Sequence, residues 1–306
     1  MGRLDQRVMI VTGAGRGLGR AHALLAAELG AAVVVNDRGG DLFGQGDAVS
    51  PADQVVAEIT AKGGRAVASH HDVADSEQAE ALIRLAVEHF GDLHVLVNNA
   101  GILRDRTFAN LNEGEWDAVI RVHLKGHAAP TRHALAYWRD RARSGATVQA
   151  SVVHTSSISG LAGNFGQANY AAAKLGIVAL SSVAALEGAK YGVRSNAVSP
   201  SGRTRMTLAS PGGAELLAAP SEEGAFDDWD PANVSPVVCW LAQPDCPATS
   251  QLFHVTGDRL YVMQIPTVAH TLVGTRRWTL DALDRELTGR LVSPMAIESF
   301  LEDVVS

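Results

Sequence analysis

Cysteine is scarce in this chain of 306 residues, which holds two, Cys239 and Cys246. Two thiols cannot build a disulfide framework, and with no histidine pattern beside them they do not read as a zinc site. Long apolar runs are also missing. None approaches the roughly 20 residues that carry a helix across a bilayer, so no membrane association is expected. The first apolar stretch, Val8-Met9-Ile10-Val11, is too short for a signal-peptide core and runs into Thr12-Gly13. The last residues, Asp303-Val304-Val305-Ser306, do not read as an organelle address, and a cytoplasmic location is the expectation. Positive charge is in deficit. Lys and Arg number 26 against 33 Asp and Glu, a net charge of −7, which disfavours a nucleic-acid surface. Internal repeats and low-complexity tracts are absent.

What is present is apolar and periodic. With 46% hydrophobic and 19% charged residues the chain can bury a sizeable core. Strand-like runs fall at Val8–Thr12, Ala32–Asn36, Ala66–His70, His94–Val97, Val148–His154, Arg194–Ser199 and Leu252–Thr256. Helical stretches alternate with them: Leu18–Leu29, a run from Ser50-Pro51 to Gly63-Gly64, Ser76–Phe90, Glu115–Arg141 with Pro130 inside it, Asn169–Tyr191 and Ala232–Leu241. Alternation of this kind predicts an α/β fold, a doubly wound Rossmann-type parallel sheet of about seven strands with helices on both faces. Residues 1–257 are expected to form a dinucleotide-binding catalytic domain, with a substrate flap at about 209–230. Residues 258–306 are expected to be a helical C-terminal extension. There Leu280, Leu283, Leu287 and Leu291 recur at helical spacing and suit either the domain's own core or a partner subunit.

The first strand runs into Thr12-Gly13-Ala14-Gly15-Arg16-Gly17-Leu18-Gly19, and a helix follows. Glycines there let the backbone turn tightly against a pyrophosphate, and the helix N-terminus offers N–H groups and partial positive charge. Gly13, Arg16, Gly17, Leu18 and Gly19 are therefore candidate cofactor contacts. Asp37 closes the second strand, where a carboxylate bonds the ribose hydroxyls of NAD and repels the 2′-phosphate of NADP. Arg16 and Arg38 point the other way, since either guanidinium suits a 2′-phosphate. NAD is the expected cofactor, with NADP left open.

Tyr170 and Lys174 lie four residues apart on one helix face, 13 and 17 residues after Ser157. With four Tyr and four Lys in the chain, a Tyr-x-x-x-Lys spacing arises by chance in only ~5% of such sequences, before the glycine loop is considered. A phenol titrates near 10, too high for a base at neutral pH, and a nearby ammonium and a cationic nicotinamide favour the phenolate. Tyr170 is then suited to accept an alcohol's proton as hydride leaves, Ser157 to hydrogen-bond the substrate oxygen, and Lys174 to hold the nicotinamide ribose.

These pieces, over roughly residues 5–257, resemble the short-chain dehydrogenase/reductase family. Asp72-Val73 after the third strand and Asn98-Asn99-Ala100-Gly101 after the fourth belong to the same pattern. The resemblance implies that Asp72 and Val73 contact the adenine, that Asn99 and Gly101 lie at the adenosine side, and that Thr204 approaches the nicotinamide carboxamide. The family's Pro-Gly appears here as Pro200-Ser201-Gly202. It commonly has Asn where this chain has His123, so His123 is a candidate for the proton relay near the lysine or else a packed histidine. The segments VVVNDRGGD (Val33–Asp41), NNAGILRDR (98–106), RVHLKG (Arg121–Gly126) and GNFGQANYAAAK (Gly163–Lys174) are similar to one subgroup, the (3R)-hydroxyacyl-CoA dehydrogenase (17β-hydroxysteroid dehydrogenase) domains of multifunctional enzymes.

The resemblance thus implies an NAD-dependent oxidoreductase for a 3-hydroxyacyl-CoA or a hydroxysteroid, working as a homodimer or homotetramer. An NADPH-dependent 3-oxoacyl ketoreductase is the alternative, and an inactive NAD sensor the remote one. No metal is expected. The flap carries Glu215, Glu222, Glu223, Asp227, Asp228 and Asp230, an unusual lining for a polyanionic CoA unless these face solvent. Arg104, Arg106, Arg203 and Arg205 are the basic candidates for CoA contact.

Overall fold

Valine-rich runs without polar alternation suit strands covered on both faces, and here they form the middle of the sheet. The computed structural model describes residues 2–39, 50–208, 213–222, 224–264, 266, 268–273 and 277–292. Most of the loop after Asp37 (with Asp41), residues 209–212 and Glu223 of the expected flap, and the tail beyond 292 lie outside the described residues.

The elements in chain order are β1 (Val8–Thr12), α1 (Gly17–Glu28), β2 (Ala32–Asn36), α2 (Pro51–Ala61), β3 (Arg65–Ser69), α3 (Ser76–Phe90), β4 (Val95–Asn98), α4 (Glu113–Ile120), a π-helical turn (Arg121–Lys125) and α5 (Gly126–Arg143). After these come β5 (Ala150–Thr155), α6 (Ile158–Ala162), α7 (Ala168–Gly188), β6 (Val193–Pro200), α8 (Arg205–Leu208), α9 (Gly213–Leu216), α10 (Ser235–Leu241), β7 (Leu252–Thr256), β8 (Arg259–Met263) and α11 (Leu280–Leu287). The strand order is β3-β2-β1-β4-β5-β6-β7-β8, parallel up to β7, with β8 antiparallel to β7. All residues of β1, β2, β4, β5 and β7 are buried. One apolar cluster sits under α1, α2 and α10, the other under α3 and α5. The order reverses between β1 and β4, which opens a crevice at the strands' carboxyl ends.

Local signals set the helix starts. Ser50 caps α2 by accepting from Asp53 N, with Pro51 in its first turn, and Asp75 caps α3 through Gln78 N. Asn112 and Glu115 form a capping box on α4.

Four features differ from the sequence reading. The long helix expected over Glu115–Arg141 is one unbroken run, but a π turn at Arg121–Lys125 widens it, and Pro130 is buried inside α5. The sheet gains an eighth strand, β8, beyond the limit expected at residue 257, because a tight turn after Thr256 folds it back on β7. Ala168–Tyr191 is long and apolar enough to cross a membrane by length and composition, contrary to the reading that no run approaches this. It is a core helix here, packed on β5 and β6 through Ile177 and Val178. Finally, α11 buries none of its residues, so its leucines are not core within this single chain. Both cysteines are buried and unbridged.

Arg7 locks the edge of β1 to distant segments. It is 5% exposed, and its guanidinium donates to the carbonyls of Gln149 (2.7 Å) and Ala242 (3.2 Å). Burial, and secondarily the Arg194 charge, pull its pKa down to about 10, so it stays a cation at neutral pH. Truncation leaves buried carbonyls without a donor. Arg7→Ala is expected to lose about 3 kcal/mol of stability, read as a lower urea midpoint at unchanged slope. A midpoint within error of the parent's contradicts the lock.

Candidate active site

The glycine loop is shaped by close backbone approach. Gly13 has φ +62°, and a Cβ on it would come 2.8 Å from Ala100 Cα. A Cβ on Gly19 would overlap the Gly13 carbonyl oxygen. The end of β4 braces this turn: Asn99 Nδ2 donates to the carbonyls of Thr12 (3.0 Å) and Gly13 (3.2 Å), and Asn99 N donates to Thr12 Oγ1 (2.8 Å). Asp37 accepts from Gly15 N and Gly39 N, each at 2.9 Å, so backbone donors fix its carboxylate at the mouth of the loop.

The crevice is a cleft of about 490 Å³. It is lined by Gly13, Arg16, Gly17, Leu18, Asp37, Asp72, Val73, Asn99, Gly101, His123, Ser157, Tyr170, Lys174 and Thr204. Every candidate site residue is thus brought together except Gly19, which acts behind the wall. Asp72 accepts from Arg121 (2.7 Å), Arg38 (3.1 Å) and Ala74 N (2.9 Å). Burial pushes its carboxyl up, but the bonds from Arg121 and Ala74 and the two guanidinium charges outweigh this and hold it below the usual range. Arg38, one of the two cations considered for a 2′-phosphate, is therefore engaged by Asp72.

At the other end, Ser157 follows β5, Tyr170 lies in the first turn of α7, and Lys174 lies one turn on. Lys174 Nζ donates to the Thr155 carbonyl at 2.7 Å, and Ser156 Oγ donates to the Lys174 carbonyl at 2.8 Å. Burial pulls the lysine down to about 7. Tyr170 keeps part of its surface open to the cleft, yet burial is the largest influence and pushes its phenol up to about 12. A bond with Ser157 lowers it and the nearby Asp105 carboxylate raises it. The expectation that the ammonium favours the phenolate is not met in this state. Lys174 Nζ lies 5.4 Å from the phenol ring centre and donates to a carbonyl, while burial dominates both groups.

His123 is turned inward by the π turn. Its Nε2 lies 2.8 Å from the Ile102 carbonyl and 3.1 Å from Ile102 N, and its ring meets Tyr170 edge-on at 5.1 Å. Burial pulls it down to about 3, so it is neutral and serves as a packed, hydrogen-bonding ring.

The sequence profile described as short chain dehydrogenase matches residues 7–210. The chain belongs to the short-chain dehydrogenase family. It is 45% identical over 304 residues to mouse peroxisomal multifunctional enzyme type 2, covering 99% of this chain and 37% of that enzyme. It is 45% identical over 267 residues to the hydroxyacyl-CoA dehydrogenase ChsB1 of Mycobacterium tuberculosis, covering 86% of this chain and 81% of the relative. A crystal structure of a short chain dehydrogenase from Mycobacterium avium superposes with a TM-score of 0.85 at 47% identity, covering 97% and 99% of the two chains.

Short-chain dehydrogenases are oxidoreductases that use a nicotinamide cofactor, and the cleft fits one. The glycines let the turn after β1 pack closely on Ala100 and Asn99 at the end of β4, which sets it beside the N-terminus of α1, a setting that suits a pyrophosphate. Residues that the family pattern would assign to the cofactor line this cleft: Gly13, Gly17 and Leu18 would hold the phosphates, Asp37 the adenosine ribose, Asp72 and Val73 the adenine, and Thr204 the carboxamide end. Sequence reasoning assigned no role to Arg121, which orients Asp72 from 49 residues away. It also missed Asp105, which accepts from Gln167 at 2.8 Å and faces Tyr170 electrostatically. Only the quoted segments containing them marked either residue.

Gly101 makes room for the imidazole: a Cβ there would overlap His123 Cε1. Gly101→Ala is expected to lower stability by about 1–3 kcal/mol, and Gly101→Ala with His123→Ala to restore part of the loss. Thermal melts of the parent, both singles and the double check this, and additive losses contradict the contact. Acid should also unfold the protein early. His22, His123 and His154 are each pulled down to about 3 by burial. Histidines titrate near 6.5 when unfolded, so unfolding takes up protons. The stability these rings contribute is complete above about 6.5 and is lost as the pH falls toward 3, at about 1.4 kcal/mol per unit per histidine. Urea titrations from pH 7 to 4 measure that slope, and a flat profile overturns the assignment.

Proposed function

We propose that this protein is an NAD-dependent dehydrogenase that interconverts a (3R)-hydroxyacyl-CoA and its 3-oxo form. The observation that carries the reading is the placement of Ser157, Tyr170 and Lys174 at one end of a cleft whose other end holds Asp37 and Asp72. A bound nicotinamide supplies the hydride acceptor or donor. The chain's own residues handle the proton. Ser157 hydrogen-bonds the substrate oxygen, and Tyr170 takes the hydroxyl proton in oxidation or returns it in reduction. Lys174, beside Tyr170 and anchored on Thr155, brings a positive charge that favours the phenolate once the site is filled.

The choice of NAD rests on Asp37, whose carboxylate is held by two backbone N–H groups where a ribose is expected, and on the pairing of Arg38 with Asp72. The thioester rests on the hydroxyacyl-CoA dehydrogenase relative and on Arg104 and Arg205 in the cleft wall. The other two basic candidates do not line the cleft: Arg106 pairs with Glu115 and Arg203 with Asp227. Asp230 caps the turn at Pro231, so at least two of the flap's acids are structural. A homodimer or homotetramer is part of the same proposal, supported by the outward face of α7, where Leu175, Val183 and Leu186 are 46%, 49% and 78% exposed.

Initial rates, followed by the absorbance of the reduced nicotinamide, test this with NAD+ and NADP+ against a (3R)-hydroxyacyl-CoA, its (3S) isomer and a 17β-hydroxysteroid. Turnover confined to NAD+ and the (3R)-thioester is the expected result. Turnover of the free steroid alone removes the thioester assignment. Tyr170→Phe is expected to lower kcat by roughly 10²–10⁴-fold while NAD+ still binds, and unchanged kcat refutes its role. Asp37→Ala is expected to raise kcat/KM for NADP+ about tenfold or more relative to NAD+, the equivalent of ~1.4 kcal/mol. An unmoved ratio removes Asp37 as the selector.

A further inference from the structure

Behind Lys174 lies a cluster of buried polar side chains that line none of the cleft. Asn98 ends β4, His154 precedes Thr155 on β5, and His127 and Thr131 come from α5. Each is 2% exposed or less. Direction within the cluster is set by one hydroxyl. Thr131 Oγ1 donates to the His127 carbonyl at 2.7 Å, which leaves it an acceptor, and it takes a hydrogen from Asn98 Nδ2 at 2.9 Å. The same amide nitrogen lies 3.4 Å from His154 Nδ1. With Nδ1 as acceptor, a neutral His154 carries its proton on Nε2.

What remains is complementary. Among the described residues, Asn98 Oδ1 has no hydrogen-bond partner, nor has His154 Nε2, nor has either nitrogen of His127. That is one acceptor, one donor, and a further donor and acceptor on a single ring. Buried polar atoms that lack a protein partner are, as a rule, satisfied by ordered water making about three bonds. The charge state selects the same kind of ligand. Burial keeps both rings neutral, and Lys174, His154 and His123 each oppose protonation of His127. Among the described residues there is no metal-holding group of His, Cys, Asp and Glu. A neutral cluster next to an ammonium takes neither a cation nor an anion, but a small dipole that both gives and accepts.

We propose that Asn98, His127 and His154 form an internal water site behind Lys174, separate from the cofactor cleft, and that its water lightens the burial of the lysine's ammonium. Lys174 faces His123 from the π turn, His127 from α5, the Thr155 carbonyl from β5 and Tyr170 on its own helix. None of these partners is charged at neutral pH.

Two measurements are independent of the reaction. A crystal structure of the NAD+ complex is expected to show ordered water within about 3 Å of both Asn98 Oδ1 and His154 Nε2. A dry cluster in clear density overturns the site. His127 hydrogen-bonds no other side chain, and only the His123 backbone approaches its ring, so replacing it distinguishes wet from dry. His127→Phe and His127→Leu are expected to lower Tm by about 4 °C or more, because they remove partners from the water. If the cluster is dry, trading two unpartnered nitrogens for apolar atoms raises Tm in at least one variant, and that overturns the proposal. A third measurement rests on the proposed dehydrogenase reading. Draining the site lowers the lysine's pKa further, so the basic limb of the kcat profile moves to lower pH in both variants. A limb that stays in place while Tm falls removes the link to Lys174 and overturns that half of the proposal. If no alcohol is turned over at all, the dehydrogenase reading fails while the first two measurements still decide the water site.

Discussion

Lys174 holds the end of β5 and the start of α7 in one register. Its ammonium donates to the Thr155 carbonyl, and its own carbonyl accepts from Ser156 Oγ. The two bonds run in opposite directions across the same gap. They fix the strand that delivers Ser157 against the helix that delivers Tyr170. Burial of the lysine makes the arrangement stringent, because a poorly solvated ammonium has few alternative acceptors. Everything reactive in the cleft is positioned relative to this pair of bonds.

A second constraint acts at the opposite end. Asn99 ties β4 to the glycine turn after β1, and Asp72 gathers Arg121 and Arg38. The cofactor half is thus built from backbone carbonyls, backbone N–H groups and one shared carboxylate. The catalytic half is built from side chains whose ionisation burial moves away from neutral water. Burial sets Tyr170 high and Lys174 low, and both shifts oppose the charged forms that proton transfer from an alcohol requires. The catalytic state therefore depends on what fills the cleft, and not on these two residues alone.

Much of this was legible in the sequence wherever the signal is local. The bounds of β1, β2 and β7 are as read, and α3 begins and ends where its cap and glycine place it. The site residues converge because a doubly wound sheet brings every strand's carboxyl end to one crevice, so strand order alone gathers them. Features that depend on distant partners were not legible. The π turn before α5 has no proline in it, and Gly126 at its end does not announce it, since the turn answers to the packing of His123 against Gly101 and Ile102. β8 is short and alternates in burial, with no run of buried valines to announce it. Arg121 lies 49 residues from its carboxylate, a pairing that no spacing rule foretells.

The π turn bears on what the chain tolerates by insertion and deletion. A π turn holds one more residue than the α-helical turn it replaces. Deleting one residue between Arg121 and Lys125 would let α4 and α5 run on as a single α-helix. Everything downstream would keep its facing, because four α-helical residues turn through about the same angle as five in the π turn. Trp138 and Ala134 would still face the sheet, but Arg121 and His123 would no longer share a widened turn that reaches both ends of the cleft. A single-residue gap in this segment therefore costs the cleft and not the core, while substitutions within it are limited only position by position.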